Sequence, residues 1–210
     1  MSQSTDNWSE FDWENAFKAD DARINLYMRE LYKYIDLPSE DELIMRRLSN
    51  DPEYKRINDP ALTEKLMRYF RKKNLEETEE NSDTAWQKRP GAASFMLFSR
   101  LARLWAQEFA RAGENVSSMA FLRISGVYGQ LLLQSSDIMD LKENDPATDP
   151  LKCAIVKRML ARINFLCGEF SSFGKTYPAH AESCMYHFNN LLELREKIIA
   201  FLFRTRKRSC

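Results

Sequence analysis

The stretch from Pro178 to Arg208 constrains the fold more than any other. Its apolar residues Ala181, Cys184, Met185, Phe188, Leu191, Leu192, Ile198, Ile199 and Leu202 recur at steps of three and four, which places them along one side of a helix. A helix of this length cannot leave such a stripe in water, so other helices must cover it. Beyond Phe203 come Arg204, Arg206, Lys207 and Arg208, cations at a carboxyl end where the helix dipole favours them. The segment therefore reads as the closing helix of a bundle.

The rest of the chain agrees. Six glycines and seven prolines in 210 residues are few, which disfavours architectures of many tight turns and suits long helices with short connections. From Glu10 the residues Phe11, Phe17, Ile24, Met28, Leu31 and Ile35 fall at helical spacings, predicting a helix to about Asp36 that Leu37-Pro38 ends. Ser39 with Glu42 has the form of a capping box, opening a second helix with Leu43, Ile44 and Leu48 as its buried face. Asp51-Pro52 and Asp59-Pro60 each set an N-cap before a proline at the first helical position, predicting a short turn and then a helix over 60–73.

Residues 74–91 carry four glutamates in five positions and close on Pro-Gly, an acidic linker with Trp86 as its anchor. Four longer helices follow in the sequence pattern: Ala92–Ala112, a second capped by Ser117 or Asn115 and running to about Leu141, a third from Asp149-Pro150 to about Phe170, and the last after the loop SSFGKTYP. The expected fold is all-α. Residues 1–9 are disordered, 10–73 form a smaller helical region, 74–91 the linker, and 92–207 an antiparallel four-helix bundle.

The segment DARINLYMRELYKYIDLPSEDELIMRRL, Asp21–Leu48, resembles in cadence the stretch of bacterial primary sigma factors that precedes their core-binding helices. It covers under a seventh of the chain and needs a one-residue gap on each side of Tyr-x-Arg-Glu-Leu. Nothing downstream looks like that family's promoter-melting helix, and amphipathic helix, proline stop and capping box explain the same letters. The resemblance implies no function here.

Composition and motifs narrow the function classes. The 31 basic and 31 acidic residues balance, but residues 1–90 hold 15 basic against 20 acidic and residues 91–210 hold 16 against 11, a polarity of −5 and +5. Neither half has the excess of a dedicated nucleic-acid binder. The polar, acidic opening MSQSTDNWSEFDWE is unlike a signal peptide, and Ile198–Phe203, the longest strongly apolar run, is far short of a membrane span. With no CxxC pair, Cys153, Cys167, Cys184 and Cys210 read as reduced thiols of a cytoplasmic protein. There is no phosphate-binding glycine loop, HExxH, GxSxG or Glu-x-x-His pair, so no enzyme and no cofactor is expected.

Three sets of residues are candidates for function. Trp8, Phe11, Trp13 and Phe17, with Tyr27, Tyr32 and Tyr34, lie on more than one face of the first helix, and either complete a core or bind a protein partner or a second copy. Lys65, Arg68, Arg71, Lys72 and Lys73 surround Tyr69 and Phe70; together with Arg204, Arg206, Lys207 and Arg208 they could pair with phosphates while aromatics stack on bases. His180, Cys184 and His187, at i, i+4 and i+7, could present imidazole and thiolate to a transition metal from consecutive turns, with Cys153, Cys167 or Glu169 as a further ligand. The first reading, a non-enzymatic interaction protein, is preferred over a nucleic-acid-binding module, and that over a metal-binding bundle.

Overall fold

The computed structural model describes residues 8–34, 37–60, 63–64, 85–112, 116–141 and 145–209, and among them every element is helical and none is a strand. The chain divides into two compact units, Met1–Asn81 and Ser82–Cys210. No helix among the described residues is long and apolar enough to cross a membrane.

In the first unit α1 spans Glu10–Tyr34, α2 Glu40–Leu48 and α3 Pro52–Ile57. A capping box starts α1: the Asp12 amide donates to Ser9 Oγ at 3.3 Å while Asp12 Oδ2 accepts from the Ser9 amide at 2.9 Å. The box expected at Ser39 and Glu42 does not form. Ser39 sits in the left-handed region at φ 59°, which turns its hydroxyl away from the first turn, and only its carbonyl accepts, from the Leu43 amide at 3.1 Å. Asp51 does cap α3, its carboxylate accepting from the amides of Glu53 at 2.8 Å and Tyr54 at 3.3 Å, with Pro52 at the first position. The core of this unit is Leu26, Ile44 and Leu48, flanked by Tyr27, Leu31, Tyr34, Tyr54 and Ile57.

That core corrects two expected faces. On α2 only Ile44 and Leu48 are buried, and Leu43 is exposed. On α1 the buried residues are Trp13, Ala16, Leu26 and Glu30, while Phe11, Ile24 and Met28 are exposed. Packing Leu26, Leu31 and Tyr34 onto α2 fixes the azimuth of the helix and turns Ile24 and Met28 outward. Of the helix expected over 60–73, Pro60, Thr63 and Glu64 are helical and the remainder lies outside the described residues.

In the second unit the helices are α4 (Ala92–Ala112), α5 (Ser118–Met139), α6 (Asp149–Thr176) and α7 (Ala181–Ser209). Of the expected linker, 74–84 lie outside the described residues; Ala85–Lys88 is a 3-10 turn whose Trp86 ring meets Phe95 edge-on at 6.1 Å. Two sets of contacts establish the antiparallel order. At one end the carboxyl end of α4 meets the start of α7 through Glu108 and His180, and the Ser117 amide at the start of α5 donates to the Tyr177 hydroxyl just past α6. At the other end Gly91, Ser94, Ile138, Val156, Met159 and Ile198 surround one small cavity. The unit is an antiparallel four-helix bundle with Phe98, Leu101, Trp105, Phe121, Ile124, Leu131, Met159, Ile163 and Leu191 fully buried along its axis.

The third long helix runs further than the sequence suggested. Instead of ending near Phe170, α6 continues through Ser171–Thr176 and breaks at Tyr177, where φ −125° and ψ 80° leave the helical region. Phe170 and Phe173 are both buried and extend the three-four spacing of Met159, Ile163 and Leu166. At its start, Lys152 Nζ donates to Asp149 Oδ1 at 2.9 Å with both side chains almost wholly buried. Paired in this way the two charges avoid the penalty of an isolated buried ion.

Candidate functional site

Three residues of α7 and its leading turn, His180, Cys184 and His187, share one side of the helix, and the bundle gives each a different neighbour. Nδ1 of His180 lies 2.7 Å from Glu108 Oε1 of α4, both partly buried. Nδ1 of His187 lies 2.7 Å from the hydroxyl of Tyr128 on α5. The phenol proton needs an acceptor, so Tyr128 donates and the imidazole keeps its proton on Nε2. Cys184 is buried against Gly174 of α6, the one place in that helix where a missing Cβ leaves it room. Among the described residues no group of three or more His, Cys, Asp or Glu is placed to hold a metal ion.

The surroundings of His187 are aromatic on every side. Its ring stacks on Phe170 with centroids 4.8 Å apart and planes 14° from parallel, and Trp105 meets it edge-on at 5.7 Å. The indole Nε1 of Trp105 donates to the Phe121 carbonyl at 3.2 Å, and its ring stacks on Phe121 at 4.5 Å. One aromatic layer thus joins all four helices. Burial holds His187 far below an ordinary imidazole, at about 4, although the Glu108 carboxylate pulls the other way. Burial also pushes the Tyr128 phenol well up and the Cys184 thiol up to about 11. Neutral imidazole, protonated phenol and protonated thiol make a packed polar layer at neutral pH.

Spacing alone sets His180, Cys184 and His187 on one side of the helix. The structure sets His187 in the centre of the buried α7 stripe, 1% exposed, with Cys184, Leu191, Leu194, Ile198 and Leu202 as its buried companions. Met185 and Leu192, read as part of that same face, are exposed. The three thiols described, Cys153, Cys167 and Cys184, are unbridged.

The amino-terminal aromatics divide. Trp8 and Trp13 are buried and meet edge-on at 4.7 Å, Phe17 is half-buried at 6.1 Å from Trp13, and Phe11 is 66% exposed. Of these four side chains only Phe11 is exposed. What the sequence did not single out as a set is the rank Ile24, Met28 and Tyr32, exposed 52%, 55% and 69% at steps of four residues. The signal was present in the spacing, but the same letters fit a buried face equally well.

Of the basic residues, Lys65, Arg68, Arg71, Lys72 and Lys73 lie outside the described residues. Arg204 and Lys207 are exposed near the end of α7, Arg206 is half-buried, and the Arg208 side chain is also outside the described part. Comparison of the chain with protein-family models, with curated proteins and with solved structures finds no match.

Proposed function

We propose that this chain is a non-enzymatic helical protein–protein interaction protein, an adaptor or self-assembling component working in the cytoplasm. The observation that carries the reading is the rank Ile24, Met28 and Tyr32, exposed on a stripe of α1 far round the helix from Leu26 and next to the edge at which Leu31 meets the core. Large apolar side chains gain about 1.5–3 kcal/mol each on full burial, so a row of three on one helical stripe is a ready anchor for a partner. A non-enzymatic role fits the protonated, packed state of the Cys184 thiol and the neutral His187. Unbridged Cys153, Cys167 and Cys184 fit a reducing compartment.

The test is native purification of the full chain, with mass spectrometry of whatever co-elutes and absorbance at 260 nm to reveal nucleic acid. A triple variant, Ile24→Glu, Met28→Glu and Tyr32→Glu, is expected to lose a stoichiometric protein partner while its circular dichroism and melting stay as in the parent. A chain that elutes without protein partner but with bound nucleic acid, released by salt, would replace this reading with the one based on the clusters at 65–73 and 204–208.

A further inference from the structure

Helix α7 carries a second apolar stripe beside the one it buries. Met185, Phe188, Leu192, Ile199 and Phe203 follow steps of three, four and seven, about 100° around the helix from Cys184, Leu191 and Ile198. Met185 and Phe203 are 57% and 58% exposed and Leu192 is 37% exposed, with Phe188 and Ile199 half-buried. Packing of the bundle leaves Met185, Leu192 and Phe203 of this row uncovered and Phe188 and Ile199 only partly covered. From Met185 to Phe203 the row rises through eighteen residue steps, or about 27 Å of helix at 1.5 Å per residue.

Charge beside the stripe is polarised along the helix. Exposed Glu182 stands at its amino end and exposed Arg204 and Lys207 at its carboxyl end, while in the middle Glu193 pairs with Lys197 at 2.6 Å and Glu196 with Arg195 at 2.9 Å. A parallel copy would set acid on acid and base on base. An antiparallel copy sets Glu182 beside Arg204 and Lys207 at both ends of the contact, and Met185 against Phe203.

We propose that this face of α7 is the seam of a homodimer, two copies pairing antiparallel about a two-fold axis near Leu194. A two-fold interface must be self-complementary, and a stripe that is symmetric in its apolar ends and antisymmetric in charge meets that condition. The proposal names a second copy as the partner within the interaction reading above, but it uses no residue of α1, so the two can fail separately.

Sedimentation of the full chain at concentrations from about 5 to about 100 µM brackets the affinity of a small interface of this kind. The expected result is a dimer whose dissociation constant rises at least about tenfold in Leu192→Glu and in Phe203→Glu, a loss of the size an anchor residue gives. Circular dichroism should be unchanged, since both side chains are exposed. A charge exchange removes any doubt over folding: Glu182→Lys and Arg204→Glu should each weaken the dimer at low salt, and the two together should restore it. A dimer indifferent to every α7 substitution, or dissolved only by the α1 triple variant, overturns the seam and leaves the interaction reading standing. A monomer across the whole range that retains a stoichiometric foreign protein does the same, whereas a monomer with no partner overturns both.

Discussion

Gly174 and His187 show how single positions decide the packing of α6 on α7. A Cβ added to Gly174 would come 3.3 Å from the Cβ of Cys184 and 3.6 Å from the Cα of Ala181, atoms fixed to the backbone that no rotamer change can move aside. Gly174→Ala should therefore lose about 1 kcal/mol or more to overpacking despite its better helix propensity. At Gly126 and Gly129 of α5 an added Cβ meets nothing within 4 Å, so Ala at either site should gain about 1 kcal/mol. Urea unfolding of the three variants checks the contrast, and equal signs would refute it. Tyr128→Phe leaves Nδ1 of His187 buried without its donor and should cost about 1–3 kcal/mol by the same measurement.

At the scale of the element, existence was legible and orientation was not. Asp51-Pro52 marks a helix start because a cap and a proline act within one turn, and Asp149-Pro150 marks another, although there Asp149 is the first helical residue and its carboxylate accepts from Lys152 instead of capping. Which of two adjacent stripes on α1 or α7 is buried depends on neighbouring helices, and spacing alone merges them: it assigns Ile24, Met28, Met185 and Leu192 to the core, and all four are exposed. The run SSFGKT looked like a loop because Gly and Ser weaken helices. It stays helical because Phe170 and Phe173 continue the buried face and Gly174 admits Cys184. The polar layer was invisible for a related reason, since Tyr128 and His187 are far apart in sequence and meet only through the bundle. Ser39 has the residue type of a side-chain cap but its side chain makes no cap hydrogen bond. Its left-handed backbone suits glycine, so Ser39→Gly should raise stability by about 0.5–1 kcal/mol, read from the denaturation midpoint, and a loss would count against the conformation assigned to that turn.

For the molecule as a whole the aromatic layer predicts how stability depends on pH. His187 titrates near 6.5 when unfolded and near 4 in the bundle, so between those values the unfolded chain binds a proton that the folded chain refuses. Its contribution is fully present above pH 6.5 and is lost as pH falls towards 4, at up to about 1.4 kcal/mol per pH unit and about 3 kcal/mol in all. The carboxyls of Asp51 and Glu193 are held low by their hydrogen bonds, so their part of the acid response falls at the bottom of this window and below it. Against a typical total of 5–15 kcal/mol, the imidazole alone would make the chain markedly easier to unfold at pH 4.5 than at pH 7. Urea titrations at several pH values, followed by tryptophan fluorescence, measure it. Replacing both partners, Tyr128→Phe with His187→Phe, removes the titrating group and leaves no orphaned polar atom, so the double variant should lose most of the slope between pH 6.5 and pH 4.5. An unchanged slope in that variant would show that the acid response comes from elsewhere and that His187 accepts its proton in the folded bundle at no cost.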